Sequence, residues 1–301
     1  MNEVKDTFHA IRANSEPLVT IGLPTYNRPA GLRKCLQTVF QQSYSNLEII
    51  ISDNCSTDNA VQQVVQEYAM IDKRIKAFRQ NKNIGLEENF NFVFKKSTAD
   101  YFTWMSDDDF FDNNYIAECV RFLEAHPDHI LCSGVAKYYS DDQFLFDEKM
   151  FKTDQRTPFA RLFFYFANVE KNGNFYGIFR NRILQKNPIG VHVGCDWTFM
   201  ARLAVLGKLS YIDKTSYHRS IEGNSGTRKK MVKKFKVNRL KNIFFETYTA
   251  FEISTHIFND PAVLTQFNWG QRQVIVTMVF FQINYRLFMK FVRKTMRRLF
   301  Q

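Results

Sequence analysis

Between residues 18 and 112 the chain repeats one pattern: a short apolar run, a polar loop, then an amphipathic segment. Leu18–Leu23 (LVTIGL), Leu47–Ser52 (LEIIIS), Ile75–Arg79 and Tyr101–Met105 (YFTWM) have the apolar, β-branched or aromatic content of strands. The near-continuous apolar run of the second suits a parallel strand covered on both faces. Between them, Leu32, Cys35, Leu36, Val39 and Phe40, and then Val61, Val64, Val65 and Tyr68, recur at the spacing of one helical face. Leu86–Lys96 predicts a third helix. Strands alternating with helices imply an α/β fold: a mostly parallel sheet with right-handed crossovers, flanked by helices. Ligands in such open sheets lie outside the strands' carboxyl ends. The polar loops 24–28, 53–58 and 106–109 all fall there, so they are expected to converge on one crevice.

The last of these loops carries the strongest chemical signal. The buried-looking run Tyr101–Met105 stops at Ser106 and three successive aspartates, Asp107, Asp108 and Asp109. Adjacent carboxylates repel one another and are costly to gather unless a cation or donor is present. Mg²⁺ is typically held by one or two carboxylates, with water and substrate phosphates completing its shell. A solvated acidic turn is the plain structural alternative.

Further along, a helix is expected at Tyr115–Ala125 and strands at Ile130–Tyr139 and Gly173–Arg180. Ser140–Thr157 has the composition of an irregular, mobile loop. A helix opens at Gly194-Cys195-Asp196-Trp197, and a short strand at Leu209–Ile212 precedes His218 and Arg219. Asp196 by itself has the composition of an N-cap. Five dispersed cysteines without metal-ligand spacing fit buried thiols in a reducing compartment. The polar opening residues lack a signal peptide's character, which predicts a cytoplasmic location.

Charge divides the chain. Residues 221–301 hold fifteen Lys/Arg against four acids, which accounts for the whole net charge of +11 and leaves residues 1–220 neutral. The expected organisation is a polar leader (1–17), a catalytic domain (18–220) and a basic helical extension (221–301). Arg228–Lys241 mixes cations with apolar residues. Tyr285–Phe300 sorts into an apolar face (Leu287, Phe288, Phe291, Val292, Leu299) opposite Arg286, Lys290, Arg293, Lys294 and Arg297. Such a helix suits an anionic membrane interface, and the apolar run Val274–Phe281 is too short to cross a bilayer. Packing on the main domain, or on a second copy in a homo-oligomer, is the alternative. No nucleic-acid motif accompanies the charge.

The motifs VTIGLPTYNR, IIISDNCSTD, NIGLEENFN, YFTWMSDDD and GCDW, in this order, resemble a family 2 glycosyltransferase of the inverting GT-A type, over about Leu18–Arg219. The resemblance implies a nucleotide-sugar site in which Pro24, Thr25, Tyr26 and Arg28 hold base and ribose, Asp53 accepts from the base, and Asn83 and Gly85 border the nucleotide. It places Asp107 on the ribose or a metal-bound water and Asp108 on a divalent metal, Mg²⁺ or Mn²⁺. Asp109 and His218 are further metal candidates, Arg219 is a pyrophosphate candidate, and Asp196 is the catalytic base. Two departures stand out: Ser106 lies where the family's first acid often falls, and Cys195 where an acid often precedes the base.

The expected activity is transfer of a sugar from a nucleoside-diphosphate sugar, with UDP favoured by family habit, to a glycan or lipid-linked acceptor in bacterial surface polysaccharide synthesis. The location would be the inner face of the cell membrane. A nucleotidyltransferase is the second enzymatic reading, although LPTYNRPA is not a glycine-rich phosphate loop. A catalytically inactive GT-A scaffold is the non-enzymatic one, and the presence of both Asp108 and Asp196 argues against it.

Overall fold

The computed structural model describes residues 16–140, 142–221 and 228–299. Its first half follows the predicted alternation. Strands β1 (Val19–Thr25), β2 (Leu47–Asp53), β3 (Ile75–Arg79) and β4 (Tyr101–Trp104) are connected by helices α1 (Pro29–Phe40), α2 (Asn59–Ile71) and α3 (Leu86–Lys95). All pairings among these four strands are parallel, in the order β3-β2-β1-β4. Every residue of β1, β2 and β4 is buried, which explains their apolar composition.

β1 runs through Pro24 rather than stopping before it. Its pairing with β4 ends at Gly22–Trp104, while pairing with β2 continues to Thr25–Asp53. Beyond Gly22 one side of the strand is open, so a proline without an N–H is tolerated there.

The sheet continues through β8 (Ile178–Arg180), β6 (His129–Ser140), β9 (Lys208–Ser220) and β5 (Phe110–Phe111), with β7 (Gln143–Asp147) paired to β6. Three expectations change here. Gly173–Tyr176 forms a 3-10 turn, so only Ile178–Arg180 is strand. Part of the expected loop 140–157 is a hairpin strand, β7. The short strand at Leu209–Ile212 extends to Ser220 by pairing parallel with β6, and carries His218 and Arg219 within it.

Helices α4 (Tyr115–Ala125), α5 (Pro158–Asn168), α6 (Asn181–Leu184) and α7 (Cys195–Leu206) complete the layers around the sheet. Trp104 anchors the centre. Its ring stacks on Phe175 at 5.2 Å and meets Phe102, Phe179 and Phe199 edge-on, while its Nε1 donates to the Phe90 carbonyl at 2.9 Å. Aromatic pairs in these geometries add to the burial of large apolar surface. That cluster fixes the strand whose end carries the aspartates.

The basic extension forms α8 (Arg228–Lys234), α9 (Arg239–Ile243), α10 (Phe245–Phe258), α11 (Pro261–Gln266) and α12 (Trp269–Leu299). Ile253, Ile257, Ile275, Val279 and Ile283 are buried in the same core as the sheet residues, so α10 and α12 pack on the main body. The segment 274–281 and the described part of the segment read separately after it, 285–299, join in one helix of 31 residues. The amphipathic faces expected for Tyr285–Phe300 fall mainly on side chains outside the described residues. Among the described residues, no helix is long and apolar enough to cross a membrane.

Candidate active site

β1, β2 and β4 deliver their loops to one end of the sheet, where Pro24, Thr25, Tyr26, Arg28 and the run Ser106–Asp109 line a single cleft. Thr25 Oγ1 donates to Asp107 Oδ2 at 2.7 Å, joining the tips of β1 and β4. Ser106 Oγ donates to Asp108 Oδ1 at 2.6 Å, and the Asp109 amide closes a turn on the Ser106 carbonyl at 3.2 Å. The start of α1 packs directly on this turn. A Cβ built on Gly31 would lie 2.2 Å from the Asp107 carbonyl oxygen, so only glycine allows the approach. Arg28, just before α1, donates to Asp108, and its Nη1 is 3.6 Å from Asp107 Oδ1.

The cost of gathering three acids shows in their protonation. Burial pushes Asp107 up to about 6, with the charge of Asp108 adding to it and Thr25 and Arg28 opposing. Burial pushes Asp109 up to about 7, opposed by Arg219 and again raised by Asp108.

Two of the expected metal contacts, Asp109 in the cleft lining and His218, already have partners within the protein. Asp109 is directed to β9: it accepts from the Tyr217 hydroxyl, and from the Ser220 amide at 3.0 Å, with Arg219 Nε 3.9 Å away. His218 has both ring nitrogens engaged, with Asp112 Oδ1 at 2.8 Å and the Tyr139 hydroxyl at 2.9 Å, and its ring stacks on Phe110 at 4.3 Å. No ring nitrogen is left for a cation. Asp107 and Asp108 line the cleft beside Asp109. Among the described residues no group of three or more His, Cys, Asp and Glu has metal-holding geometry. Two carboxylates nonetheless fit Mg²⁺ or Mn²⁺, which take water and phosphate oxygens for the rest of their shell.

Asp53, Asn83 and Gly85 stand behind the cleft wall. Asp53 is 3% exposed and accepts from the Ser56 amide at 2.9 Å and from Arg79 Nη1 at 2.7 Å. Its neighbour Asn54 lines the cleft instead, and bonds the Asn83 side chain and the backbone of Ile84 and Gly85. Sequence reasoning passed over Asn54 and also Leu86, Asn89, Phe90 and Tyr176, all in the lining. Asn89 held a detectable signal, being a polar residue on the apolar side of α3.

Asp196 lies in the first turn of α7, whose N-cap is Gly194 at φ 77°, so the expected capping role passes to a residue free to adopt a left-handed conformation. Its carboxyl is raised above the ordinary value by burial, opposed by a hydrogen bond from Asn172. Asp196 is not in the cleft lining, but Tyr176 connects the two regions. Burial raises the Tyr176 hydroxyl, and Asp109, Asp108 and Asp196 all push it in the same direction. Arg219 lies 4.6 Å over the Tyr176 ring and favours the charged forms of both Asp109 and Asp196. The Cys195 thiol, buried and near Asp196 and Glu87, is pushed up to about 12. It is no nucleophile at neutral pH.

The family model described as glycosyl transferase family 2 matches residues 20–206. The chain belongs to this family. A relative, the GalNAc(5)-diNAcBac-PP-undecaprenol β-1,3-glucosyltransferase of Campylobacter jejuni, is 25% identical over 177 residues, covering 56% of this chain and 53% of that protein. The chain spans between 13% and 53% of the length of the curated relatives it matches. Among solved structures, Staphylococcus aureus TarS 1-349 in complex with UDP-GlcNAc has a TM-score of 0.61 at 16% identity, covering 88% of this chain and 72% of that one. The mannosyltransferase PcManGT of Pyrobaculum calidifontis, in complex with GDP-Man and Mn²⁺, has a TM-score of 0.56 at 15% identity, covering 89% and 70%. These likenesses establish the GT-A type of fold that the motifs predict. In this glycosyl transferase family 2 chain the cleft at the carboxyl ends of β1 and β4 is thus the candidate donor site.

Proposed function

We propose that this chain is an inverting, metal-dependent glycosyltransferase that moves a sugar from a nucleoside-diphosphate sugar, with UDP favoured, to a glycan or lipid-linked acceptor. The observation that carries the proposal is the joining of Thr25 and Arg28 to Asp107 and Asp108 in one cleft. The Campylobacter relative, whose name describes an undecaprenol-linked acceptor, supports a setting in bacterial surface polysaccharide synthesis. In this reading the enzyme works at the inner face of the cell membrane, and the positive charge of the extension supports that location.

Each residue has a distinct task in this reading. Pro24, Thr25 and Tyr26 hold the nucleoside, with Asp53, Asn83 and Gly85 shaping the wall behind it. Asp107 orients the ribose or a bound water. Asp108 and Asp107 would hold Mg²⁺ or Mn²⁺, which when bound supplies Lewis-acid neutralisation of the diphosphate. Arg28, which donates to Asp108, works with Tyr26 at the base and ribose, and Arg219 of the cleft lining places its charge on the phosphates, where negative charge develops as the sugar departs. Asp196 takes the proton of the acceptor hydroxyl as that oxygen attacks the anomeric carbon from the face opposite the diphosphate. One displacement on that carbon inverts its configuration.

Calorimetric titration with UDP, GDP, CDP and dTDP, each with Mn²⁺ and with EDTA, tests the donor site. Tight binding of one nucleotide only with Mn²⁺ is expected. Absence of binding by all four would overturn the proposal in favour of a scaffold.

A further inference from the structure

Residues 228–245 hold eight cations, from Arg228 to Lys241, and no acid. Lys229, Lys233, Lys236, Arg239 and Lys241 are all exposed. Beside them, Leu240, Ile243 and Phe244 are 66%, 59% and 60% exposed, and Phe251 is 58% exposed. Leu240 and Ile243 belong to α9, Phe244 to the break after it and Phe251 to α10, so the apolar patch spans the junction of two helices. Arg228 pairs with Glu246 at 3.4 Å, while the large apolar side chains face water beside the exposed lysines, which makes a mixed basic and apolar surface.

The inner side of the same segment is held firmly. Phe245 is buried, and Arg228 returns to it, its guanidinium 5.3 Å from the ring centroid and its Nε donating to Asn242 Oδ1 at 3.2 Å. Lys234 pairs with Glu87 of α3, and the Cys195 thiol contacts the same carboxylate at 3.9 Å. Through Glu87 the segment is thereby joined to Cys195, the residue before Asp196.

We infer that residues 228–251 are an interfacial docking element that seats this end of the enzyme on an anionic bilayer. Charge complementarity selects the occupant: the exposed Lys229, Lys233, Lys236 and Arg239 suit adsorption to anionic headgroups. The exposed leucine, isoleucine and phenylalanines enter the headgroup–acyl boundary, as in interfacial helices. Neither an acidic protein nor a nucleic acid backbone would use that apolar patch so directly. Docking here presents the Asp196 side of the molecule to the membrane, where a lipid-linked acceptor hydroxyl resides. This last step rests on the glycosyltransferase reading; the docking itself does not.

Sedimentation of the full chain with phosphatidylcholine vesicles, with and without phosphatidylglycerol, provides the test. The protein is expected to sediment only with the anionic vesicles and to be released by salt. Two variants, K229Q/K233Q/K236Q and L240S/F244S, should each lower the partition coefficient tenfold or more while leaving the melting temperature and UDP affinity unchanged. Absence of wild-type binding overturns the inference, as does full binding by both variants, which would move the contact to another surface. Loss in the lysine variant alone overturns the insertion of the apolar patch. The assay contains neither nucleotide nor acceptor, so vesicle binding alongside failed nucleotide calorimetry would sink the enzymatic reading and leave the docking surface standing.

Discussion

Asn172 Nδ2 reaches Asp196 twice, donating to its backbone carbonyl at 3.1 Å and lying 3.4 Å from its carboxylate Oδ2. Asn172 adopts a left-handed conformation at φ 62° and is 3% exposed, so its side chain is fixed against the start of α7. If Asp196 is the base, Asp196→Asn should lower transfer by roughly 10² to 10⁴-fold and leave nucleotide affinity unchanged. Full transfer by this variant would remove Asp196 from the chemistry. Because burial raises its pKa, the acidic limb of the rate profile should lie above the ordinary carboxylate range. Asn172→Gly preserves the left-handed backbone and removes the opposing hydrogen bond, so it should move that limb to higher pH.

Asp108 is the acid to which Arg28 and Ser106 both donate. Asp108→Ala is expected to abolish the Mn²⁺-dependent part of nucleotide affinity in calorimetry. Asp109→Asn should retain it, since Asp109 is engaged by Tyr217 and Ser220. Reversal of the two results would reassign the metal ligand.

Gly31 permits contact between α1 and the aspartate turn. Gly31→Ala forces the two apart and should destabilise the protein by about 1–3 kcal/mol, read as a lower melting temperature. It should also weaken Mn²⁺-dependent nucleotide binding by shifting Asp107. An unchanged melting temperature would show that the turn moves freely.

The His192 and His256 rings stack with centroids 3.5 Å apart. His192 is held down to about 4 by burial, then by His256 and Arg202. Its folded value lies below the ordinary 6.5, so its contribution to stability is present above pH 6.5 and lost as pH falls towards 4. Thermal melts should show a decline over that window that is shallower in His192→Asn. Identical slopes would mean the pair is energetically silent. Glu252, which faces His256, and Asp260, paired with Arg202, are the acids whose own titration must be separated from it.

The first half of the fold was legible because parallel strands buried on both faces are predominantly apolar, as in LEIIIS and YFTW; the buried Glu48 is satisfied by Thr20 and Lys76. The acidic loop was legible because clustered carboxylates have few inexpensive explanations. The region after Ser140 was harder. GNFYGIFR has strand composition, yet Gly173–Tyr176 coils into a 3-10 turn, where Asn174 bonds Ser133 and Tyr176 receives the Tyr115 hydroxyl. β7, exposed on every residue, has no apolar alternation to announce it.

The local sequence determined the strands, the crossover helices and the set of polar loops gathered at one end of the sheet, because period and polarity are properties of neighbouring residues. Only tertiary structure decided which partner each acid of the cleft takes. Asp107, Asp108 and Asp109 are consecutive and chemically identical, but Thr25 from β1, Arg28 from the loop after it and Tyr217 from β9 each take one of them. Those partners lie about 80 to 110 residues away along the chain, and a contact over such separation is set by packing, which no short stretch of sequence encodes.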